Sequence, residues 1–457
     1  MTTYILAGHM GPLTKPTPDL FSDPDSRFGT LDIIPGKRAM SCGISSAMRQ
    51  LADLNIFPSE VALDLLVLAV MVQAADTRLN RIDTAQDSWT REIKLIVPVS
   101  DPKLWTESAA VLREMLNFLT GDFWSFEFRV RPHHFKLLVR KTDKKPKTYN
   151  GVSLFSGGLD SLIGAIDELK KNAIDAPFFV SHAGEAAVSS PQTAVFAALE
   201  KKHAQRALHR LRFPSARFPQ NIFPEIRLEN STRGRSFLFF ALAALAGSGL
   251  GSKFDLRVPE NGLIALNVPL DGTRLGSLST RTTHPFYIHR WNQLLKQLGI
   301  EGQLINPYWN QTKGEMADKC QDRAFLQSIL PLSVSCAHPS ADRYKGGGNS
   351  HCGHCVPCVI RRAATFRAWG AGGDQASYRL NNLTGQPLVS TKAEGIQIRA
   401  FQYAIAHLAK HPGFENIAIH KPGSLAEDIE RLPDLAAMYK RGMDEVSAVL
   451  KGVVTAP

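Results

Sequence analysis

Hydrophobic positions in the first 130 residues alternate between helix-like and strand-like spacing. The stretch over residues 61–75 is apolar on nearly every face, so it predicts a buried helix. A proline and a first-turn acid mark its start at Pro58-Ser59-Glu60. The strand-like and helical stretches that follow are residues 93–99, 104–119 and 124–130. Residues 1–57 have no regular pattern, and we predict a separate α+β domain over residues 1–148.

The rhythm changes after Tyr149, where short apolar runs alternate with helical patterns. The runs predicted as strands are residues 152–155, 178–181, 222–228 and 256–259. The helical patterns are residues 161–171, 191–211 and 236–250. This β-α-β-α order predicts an α/β domain over residues 149–368, a parallel sheet with helices on both faces and ligands at the carboxyl ends of its strands. Residues 369–457 contain two more helical patterns and are predicted to form a C-terminal helical region.

The composition and net charge of the chain indicate which classes of ligand it favours. With 457 residues, of which 44% are apolar, the chain can bury a sizeable core. Its formal net charge of +11 favours phosphate-bearing ligands, and ATP alone would satisfy it. No basic segment interleaved with aromatic residues indicates nucleic acid. Residues 129–147 carry eight Lys or Arg residues and one acid, either as a solvated connector or as a patch that steers an anionic substrate or partner.

The sequence shows neither a secretion signal nor a segment long enough to span a membrane. The start of the chain lacks the basic stretch and long apolar core of a secretion signal. The apolar runs at residues 61–75 and 237–250 are shorter than the roughly 20 residues that span a bilayer. We therefore expect a soluble, cytoplasmic protein.

A glycine turn joins the first predicted strand of the central domain to a helix. Its sequence is Ser156-Gly157-Gly158-Leu159-Asp160-Ser161. Glycines let the backbone approach a ligand, the first helix amides can bind phosphate oxygens, and Asp160 can hold Mg²⁺ against them. The alternative is an ordinary strand–turn–helix connection with a serine cap. The expected ATP-binding residues are these six together with Val180 and Ser181 at the end of the next predicted strand.

This loop lacks the Walker pattern and resembles the PP-loop of the ATP pyrophosphatase superfamily. The resemblance implies an adenine nucleotide α hydrolase-like α/β fold. It also implies that ATP is cleaved between its α and β phosphates, leaving AMP on a substrate oxygen.

Four of the six cysteines lie close together in the sequence. Cys352, Cys355 and Cys358 follow three-residue spacing, and Cys336 offers a fourth thiol. Four thiolates form a closed tetrahedral set, which predicts a structural zinc site. An iron–sulfur cluster on the same ligands and a substitution by His354 are the alternatives. The two remaining cysteines are expected to be buried small apolar residues; they are Cys42 and Cys320.

The phosphate loop and the Cys-Gly-x-Cys-x-x-Cys site, in this order, resemble the 7-cyano-7-deazaguanine synthase family (QueC). The resemblance covers about residues 150 to 368. The further segments that agree with the family are Arg233-Gly-Arg235, the set Pro307, Thr312, Lys313 and Glu315, the pair Ser335-Cys336, and Cys358 with Arg361 and Arg362.

The resemblance implies a reaction and roles for three residues. ATP would adenylate the carboxylate of 7-carboxy-7-deazaguanine, and an amine would then attack to form an amide. In the housekeeping enzyme the amine is ammonia, and a second activation gives the nitrile. Asp160 would hold Mg²⁺, and Arg235 and Lys313 would stabilise charge on the transferring phosphoryl group. The alternative is that both cations are surface charges at helix starts.

The chain departs from the family in several places. It is about twice as long as the housekeeping enzyme, and it has a Gly-rich insert between Cys336 and Cys352 (Gly346, Gly347, Gly348). Residues 258–262 and 280–285 also differ, and both segments are expected near the carboxyl edge of the sheet. Glu260, Asn261 and His284 are therefore candidate substrate-binding residues; the alternative is that they are turn and helix-start residues.

The enlarged architecture resembles the branch found in bacterial antiphage systems, such as the QatC proteins of the Qat system. That resemblance implies transfer of the deazaguanine to the amino terminus of a partner protein, with the additional domains as its dock. Another PP-loop ligase or a tRNA-modifying thiolase, and a non-catalytic nucleotide-binding module, remain alternatives.

Overall fold

The computed structural model describes residues 2–11, 25–35, 39–85, 87–132, 138, 148–171, 174–184, 186–214, 216–251, 253–272, 281–339 and 351–457. Most of the basic stretch at residues 129–147, together with Thr280 and the three glycines at 346–348, lies outside the described residues. The described backbone forms two larger parallel sheets, helices packed against each, and a C-terminal group of helices.

The N-terminal sheet has four parallel strands in the order β2-β1-β3-β4. The strands are β1 (Thr3–Met10), β2 (Ser26–Ile34), β3 (Glu92–Val99) and β4 (Phe123–Val130). The helices of this unit are α1 (Ile44–Asp53), α2 (Glu60–Arg78), α3 (Arg81–Thr84), α4 (Pro102–Glu107) and α5 (Ala109–Thr120).

The predicted α+β class of residues 1–148 is therefore wrong. All pairs in this sheet are parallel, and helices lie between its strands along the chain, so the unit is α/β. The prediction that residues 1–57 lack regular structure is also wrong. β1 contains a buried apolar run, Tyr4 to Ala7, that the prediction missed. The predicted helix at 61–75 and strand at 93–99 are confirmed as α2 and β3.

The central sheet has five parallel strands in the order β7-β6-β5-β8-β9, which confirms the predicted parallel sheet. The strands are β5 (Val152–Leu154), β6 (Phe178–Ala183), β7 (Arg210–Pro214), β8 (Phe254–Arg257) and β9 (Gly302–Ile305). The helices are α6 (Leu159–Lys171), α7 (Ala186–Lys202), α8 (Arg235–Ser248), α9 (Gly262–Leu266), α10 (Pro285–Gln297), α11 (Lys313–Asp318), α12 (Arg323–Ile329) and α13 (Val356–Trp369).

One predicted strand of this sheet is wrong. Residues 222–228 hold the end of a short 3₁₀ turn (Gln220–Ile222) and irregular backbone, and the strand beside β6 is β7. The helical pattern expected to run to residue 211 ends with α7 at Lys202, since Arg210 and its successors are already in β7.

Helices cover both faces of the central sheet, as predicted. On one face, Val152 and Leu256 of the sheet share a core with Trp291 of α10. On the other, Phe179 shares a core with Leu162 of α6 and residues of α7 and α12. Burial on both faces explains why these strands are short continuous apolar runs.

The two sheets share one hydrophobic core through a pair of apolar helices. α2 packs against β1 and β3, α8 packs against β5, β6 and β8, and the two helices pack against each other. Nearly every side chain along both is buried. The N-terminal unit is thus joined to the central sheet by continuous packing between α2 and α8.

The C-terminal helices pack against the outside of the central unit. They are α14 (Ala393–Lys410), α15 (Glu415–Ala418) and α16 (Leu432–Leu450), accompanied by the short parallel pair β10 (Leu388–Val389) and β11 (Thr455–Ala456). α16 contacts α13, α9 and α14, and these helices form their own core. Among the described residues, no helix is long and apolar enough to cross a membrane.

Candidate functional site

A cavity of about 360 Å³ opens at the carboxyl ends of the central strands. β5 and β8 are neighbours in the sheet although β6 and β7 lie between them in the chain, so the strand order reverses at this point. Open α/β sheets bind ligands at such a switch point. The cavity is lined by the ends of β5 and β6, the start of α8 and the segment after β8, including Ser156, Ser161, Val180, Arg235, Glu260 and Thr282.

The glycine turn between β5 and α6 forms one wall of this cavity. Gly157 has a left-handed backbone (φ +78°), and a Cβ on it would lie 2.8 Å from Cα of Gln192, so the position requires glycine. The amide of Gly158 donates to Ser156 Oγ at 3.3 Å, and this hydroxyl lies 3.1 Å from Ser161 Oγ. Two serine hydroxyls are therefore held together at the cavity wall.

Asp160 lies in the first turn of α6 and is largely buried. Its Oδ2 accepts from Nδ2 of Asn261 at 2.8 Å, and Lys313 Nζ lies 3.3 Å from its Oδ1. Asn261 also accepts from the amide of Ile264 at 3.2 Å and caps α9. Its amide group thus holds Asp160 and a helix start, and its role in substrate binding stays a prediction.

Glu260 reaches the cavity from the segment after β8. Thr283 donates its hydroxyl to Glu260 Oε2, and Asn306 Nδ2 donates to the Glu260 carbonyl at 2.8 Å. Burial raises the pKa of Glu260 to about 7; the hydrogen bond from Thr283 opposes that rise, and the nearby negative charge of Asp160 adds to it. The side chain therefore changes charge near neutral pH.

Both predicted cationic residues begin helices. Arg235 is the first residue of α8 and lines the cavity, with its guanidinium 5.0 Å from the centroid of the Phe239 ring. Burial lowers the pKa of His182 to about 3, and the nearby positive charge of Arg235 contributes to the decrease. This cavity residue is therefore neutral at physiological pH. Lys313 begins α11 and is buried beside Asp160.

Two other predicted site residues make contacts within the protein. Ser181 Oγ donates to the Phe155 carbonyl at 2.6 Å and ties β6 to the end of β5. His284 caps α10, because its Nδ1 accepts from the amide of Phe286 at 3.2 Å, and burial lowers its pKa to about 3. Neither side chain is among the described residues that line the cavity, whereas Val180 is.

The four clustered cysteines come together as expected. The Sγ atoms of Cys336, Cys352, Cys355 and Cys358 all lie within 4.8 Å of one another. Zn–S bonds of about 2.3 Å in a tetrahedron separate sulfur atoms by about 3.8 Å. The Cys336–Cys355 and Cys352–Cys358 sulfur distances are 4.0 and 3.8 Å. The cluster could bind a metal such as zinc, and Cys42 and Cys320 are free, buried thiols outside it.

The segment before Cys336 connects this cluster to the glycine turn. The amide of Leu159 donates to Ser335 Oγ at 3.1 Å, and the amide of Val334 donates to the Gly157 carbonyl at 3.3 Å. Arg361, fully buried on α13, holds the same segment by donating to Ser333 Oγ at 2.8 Å. A metal bound by the cysteines would therefore brace the turn.

Several site contacts were not predicted from the sequence. Thr283 and Asn306 hold Glu260, and His182 lines the cavity. Thr283 belongs to the segment 280–285 that was expected near this edge of the sheet, whereas Asn306 and His182 had no signal in the sequence.

Protein-family models and curated proteins compared with this chain give no match. The fold and the site define an α/β protein with a cavity at the switch point of its central sheet and a four-cysteine cluster that could bind a metal. The function is therefore argued from the geometry of these two features.

Proposed function

We propose that this chain is an ATP-dependent, AMP-forming ligase of the PP-loop type, related to the 7-cyano-7-deazaguanine synthases. The observation that carries the proposal is that three features meet at the switch point of the central sheet. These features are the glycine turn, the buried Asp160–Lys313 pair and the helix start at Arg235. Ser156, Ser161 and Arg235 line the cavity. The Asp160–Lys313 pair adjoins the glycine turn but is not among the described residues that line the cavity. The sequence spacing of the three features agrees with that family.

The residues of the cavity suit the transfer of an adenylyl group. The turn amides and the hydroxyls of Ser156 and Ser161 bind phosphate oxygens of ATP. A substrate carboxylate oxygen attacks the α-phosphorus, and the bond to the β-phosphate oxygen breaks to release pyrophosphate. Arg235 and Lys313 stabilise the negative charge that develops on the phosphoryl groups. Mg²⁺ held by Asp160 would neutralise further phosphate charge.

The second half of the reaction forms a carbon–nitrogen bond. An amine nitrogen attacks the acyl carbon of the adenylate, the bond to AMP breaks, and the amine proton passes to solvent. The proposed acid is a 7-carboxy-7-deazaguanine-type base. The Glu260 carboxylate is suited to accept hydrogen bonds from the N1–H and 2-amino groups of such a base.

The proposed acceptor is the amino terminus of a partner protein in a cytoplasmic antiphage system. This proposal is supported by the resemblance to the enlarged branch and by the two units added to the central sheet. Ammonia as acceptor would make the protein a nitrile-forming synthase instead. The experiment that follows distinguishes the two acceptors.

The purified chain should be incubated with ATP, Mg²⁺ and 7-carboxy-7-deazaguanine, and pyrophosphate and AMP measured. Parallel reactions contain ammonium or a candidate partner protein, whose mass is then determined. We expect the partner to gain the mass of the acyl base. A nitrile formed from ammonium, with the partner unchanged, would identify the synthase activity. No pyrophosphate under either condition would contradict the ligase.

A further inference from the structure

A hydrogen bond from the N-terminal unit holds the helix start that carries Arg235. Asp76 on α2 is fully buried, and its Oδ2 accepts from the amide of Gly234 at 2.7 Å. Gly234 is the cap residue immediately before Arg235, so the carboxylate fixes the start of the helix that carries this cation. Asp76 is itself held, because Arg91 Nη2 lies 2.7 Å from its Oδ1 and the same nitrogen lies 2.7 Å from Asp122.

The C-terminal helix α16 holds the second cation in a similar way. Glu445 accepts from the hydroxyl of Thr312 and, at 3.3 Å, from the amide of Gly314, the residues on either side of Lys313. One turn earlier on α16, Arg441 Nε donates to Glu315 Oε1 at 2.8 Å. α16 thus binds the first turn of α11 at several points.

We propose that Asp76 and Glu445 are positioning residues of the ligase, through which the N-terminal and C-terminal units set the places of Arg235 and Lys313. The inference rests on the proposed function. Neither side chain is among the described residues lining the cavity; each acts on the residue next to a cation that does its work at the phosphates. Transition-state stabilisation by a fixed charge depends strongly on its placement, so a small shift of a helix start lowers the rate.

A second buried acid on α2 provides a matched control. Asp64 is as buried as Asp76 and is also paired with an arginine, Arg131 at 3.1 Å. Its other partner is Ser100, whose amide donates to it at 2.7 Å, so both of these contacts stay within the N-terminal unit. On α16, Asp444 is the exposed neighbour of Glu445.

The test compares Asp76→Asn and Glu445→Gln with Asp64→Asn and Asp444→Asn in the full chain. Pyrophosphate release is measured as kcat and as KM for ATP and for the acid, and amide hydrogen exchange is measured at residues 234–238 and 312–316. We expect kcat to fall about tenfold or more in the two positioning variants, with much smaller changes in KM and faster exchange at the corresponding helix start. The controls should keep the wild-type kcat and exchange at both starts.

The outcomes separate this inference from the proposed function. Normal kcat in a positioning variant whose helix start exchanges faster would overturn the positioning role, and so would unchanged exchange. Faster exchange in the variants, with no pyrophosphate from the wild type, would refute the ligase and with it the catalytic role, while leaving the two anchors as structural contacts. Should Asp76→Asn not fold, Asp76→Glu keeps the charge opposite Arg91 and displaces only the acceptor.

Discussion

Lys313 Nζ lies 3.3 Å from Oδ1 of Asp160, and both side chains are largely buried at the base of the glycine turn. The two residues are 153 positions apart in the chain and come from different helices, α6 and α11. Each charge compensates the other, and in the proposed reaction the phosphates and Mg²⁺ would provide new partners for both. The pair therefore links the folding of the site to its chemistry.

Asp160→Ala should lower pyrophosphate release by about 10² or more, because it removes the group proposed to hold Mg²⁺. It also leaves the Lys313 ammonium without this buried partner, so the double variant Asp160→Ala/Lys313→Ala should lose less stability than the single variant. Chemical unfolding and pyrophosphate assays check both points. Asp167→Asn, on the same helix but bonded to Tyr308, serves as the control and should retain activity. Equal activity in Asp160→Ala and wild type would remove Asp160 from the mechanism.

The two glycines of the turn should respond differently to alanine. Gly157→Ala forces a side chain into a left-handed backbone and against Gln192, and we expect a loss of about 1–2 kcal/mol or more in the free energy of unfolding. A Cβ on Gly158 would meet no protein atom closer than 3.4 Å, so Gly158→Ala should fold normally. The alanine methyl group would nevertheless obstruct the approach of phosphate, and the affinity of the variant for ATP should fall. Unchanged nucleotide binding in Gly158→Ala would show that phosphate does not approach the turn.

Glu260 should make the stability of the protein depend on pH. Its pKa is raised from an ordinary 4.5 to about 7 by burial, so between these values the folded chain binds a proton that the unfolded chain has released. The free energy of unfolding should therefore fall as pH rises through this window. Glu260→Gln removes this contribution. The free energy of unfolding of the variant, relative to that of the wild type, should therefore rise by about 3 kcal/mol from pH 4 to pH 8. Urea titrations at both pH values measure the difference. Glu301→Gln, at an exposed position, should follow the wild type.

The cysteine cluster should carry one metal ion, and its loss should unfold part of the chain. A structural zinc contributes on the order of 10 kcal/mol to folding, comparable with the whole stability of a typical domain. Cys355→Ala should therefore be poorly soluble and deficient in metal, as measured by elemental analysis. Cys320→Ala removes a free thiol outside the cluster and should keep its metal. A soluble Cys355→Ala chain with a full metal complement would rule out this assignment.

Sequence patterns predicted β5, β6 and β8 of the central sheet because these strands are short apolar runs between helices. They missed β1, although Tyr4 to Ala7 form a buried apolar run of the same kind, and they missed β9. They also missed β7, because the helical pattern of α7 continues in the sequence beyond the end of the helix. The strand order, and hence the switch point, depends on pairings that leave no local pattern.

Local motifs likewise predicted the candidate site only in part. The glycine turn and the cysteines stood out because each is a compact motif at fixed spacing. The bond between Asp76 and Gly234 joins residues 158 positions apart, and Thr283 meets Glu260 across 23 positions. Such contacts follow from the packing of α2 on α8 and of loops at the sheet edge, and no spacing within one segment encodes them.

The continuous packing of α2 on α8 limits how the protein can be dissected. A fragment beginning at residue 149 would present the apolar flank of α8 to water, together with the unsatisfied cap at Gly234. Such a fragment would associate through that flank or be degraded, so domain-by-domain study of this chain would report on a damaged surface and not on an autonomous catalytic core.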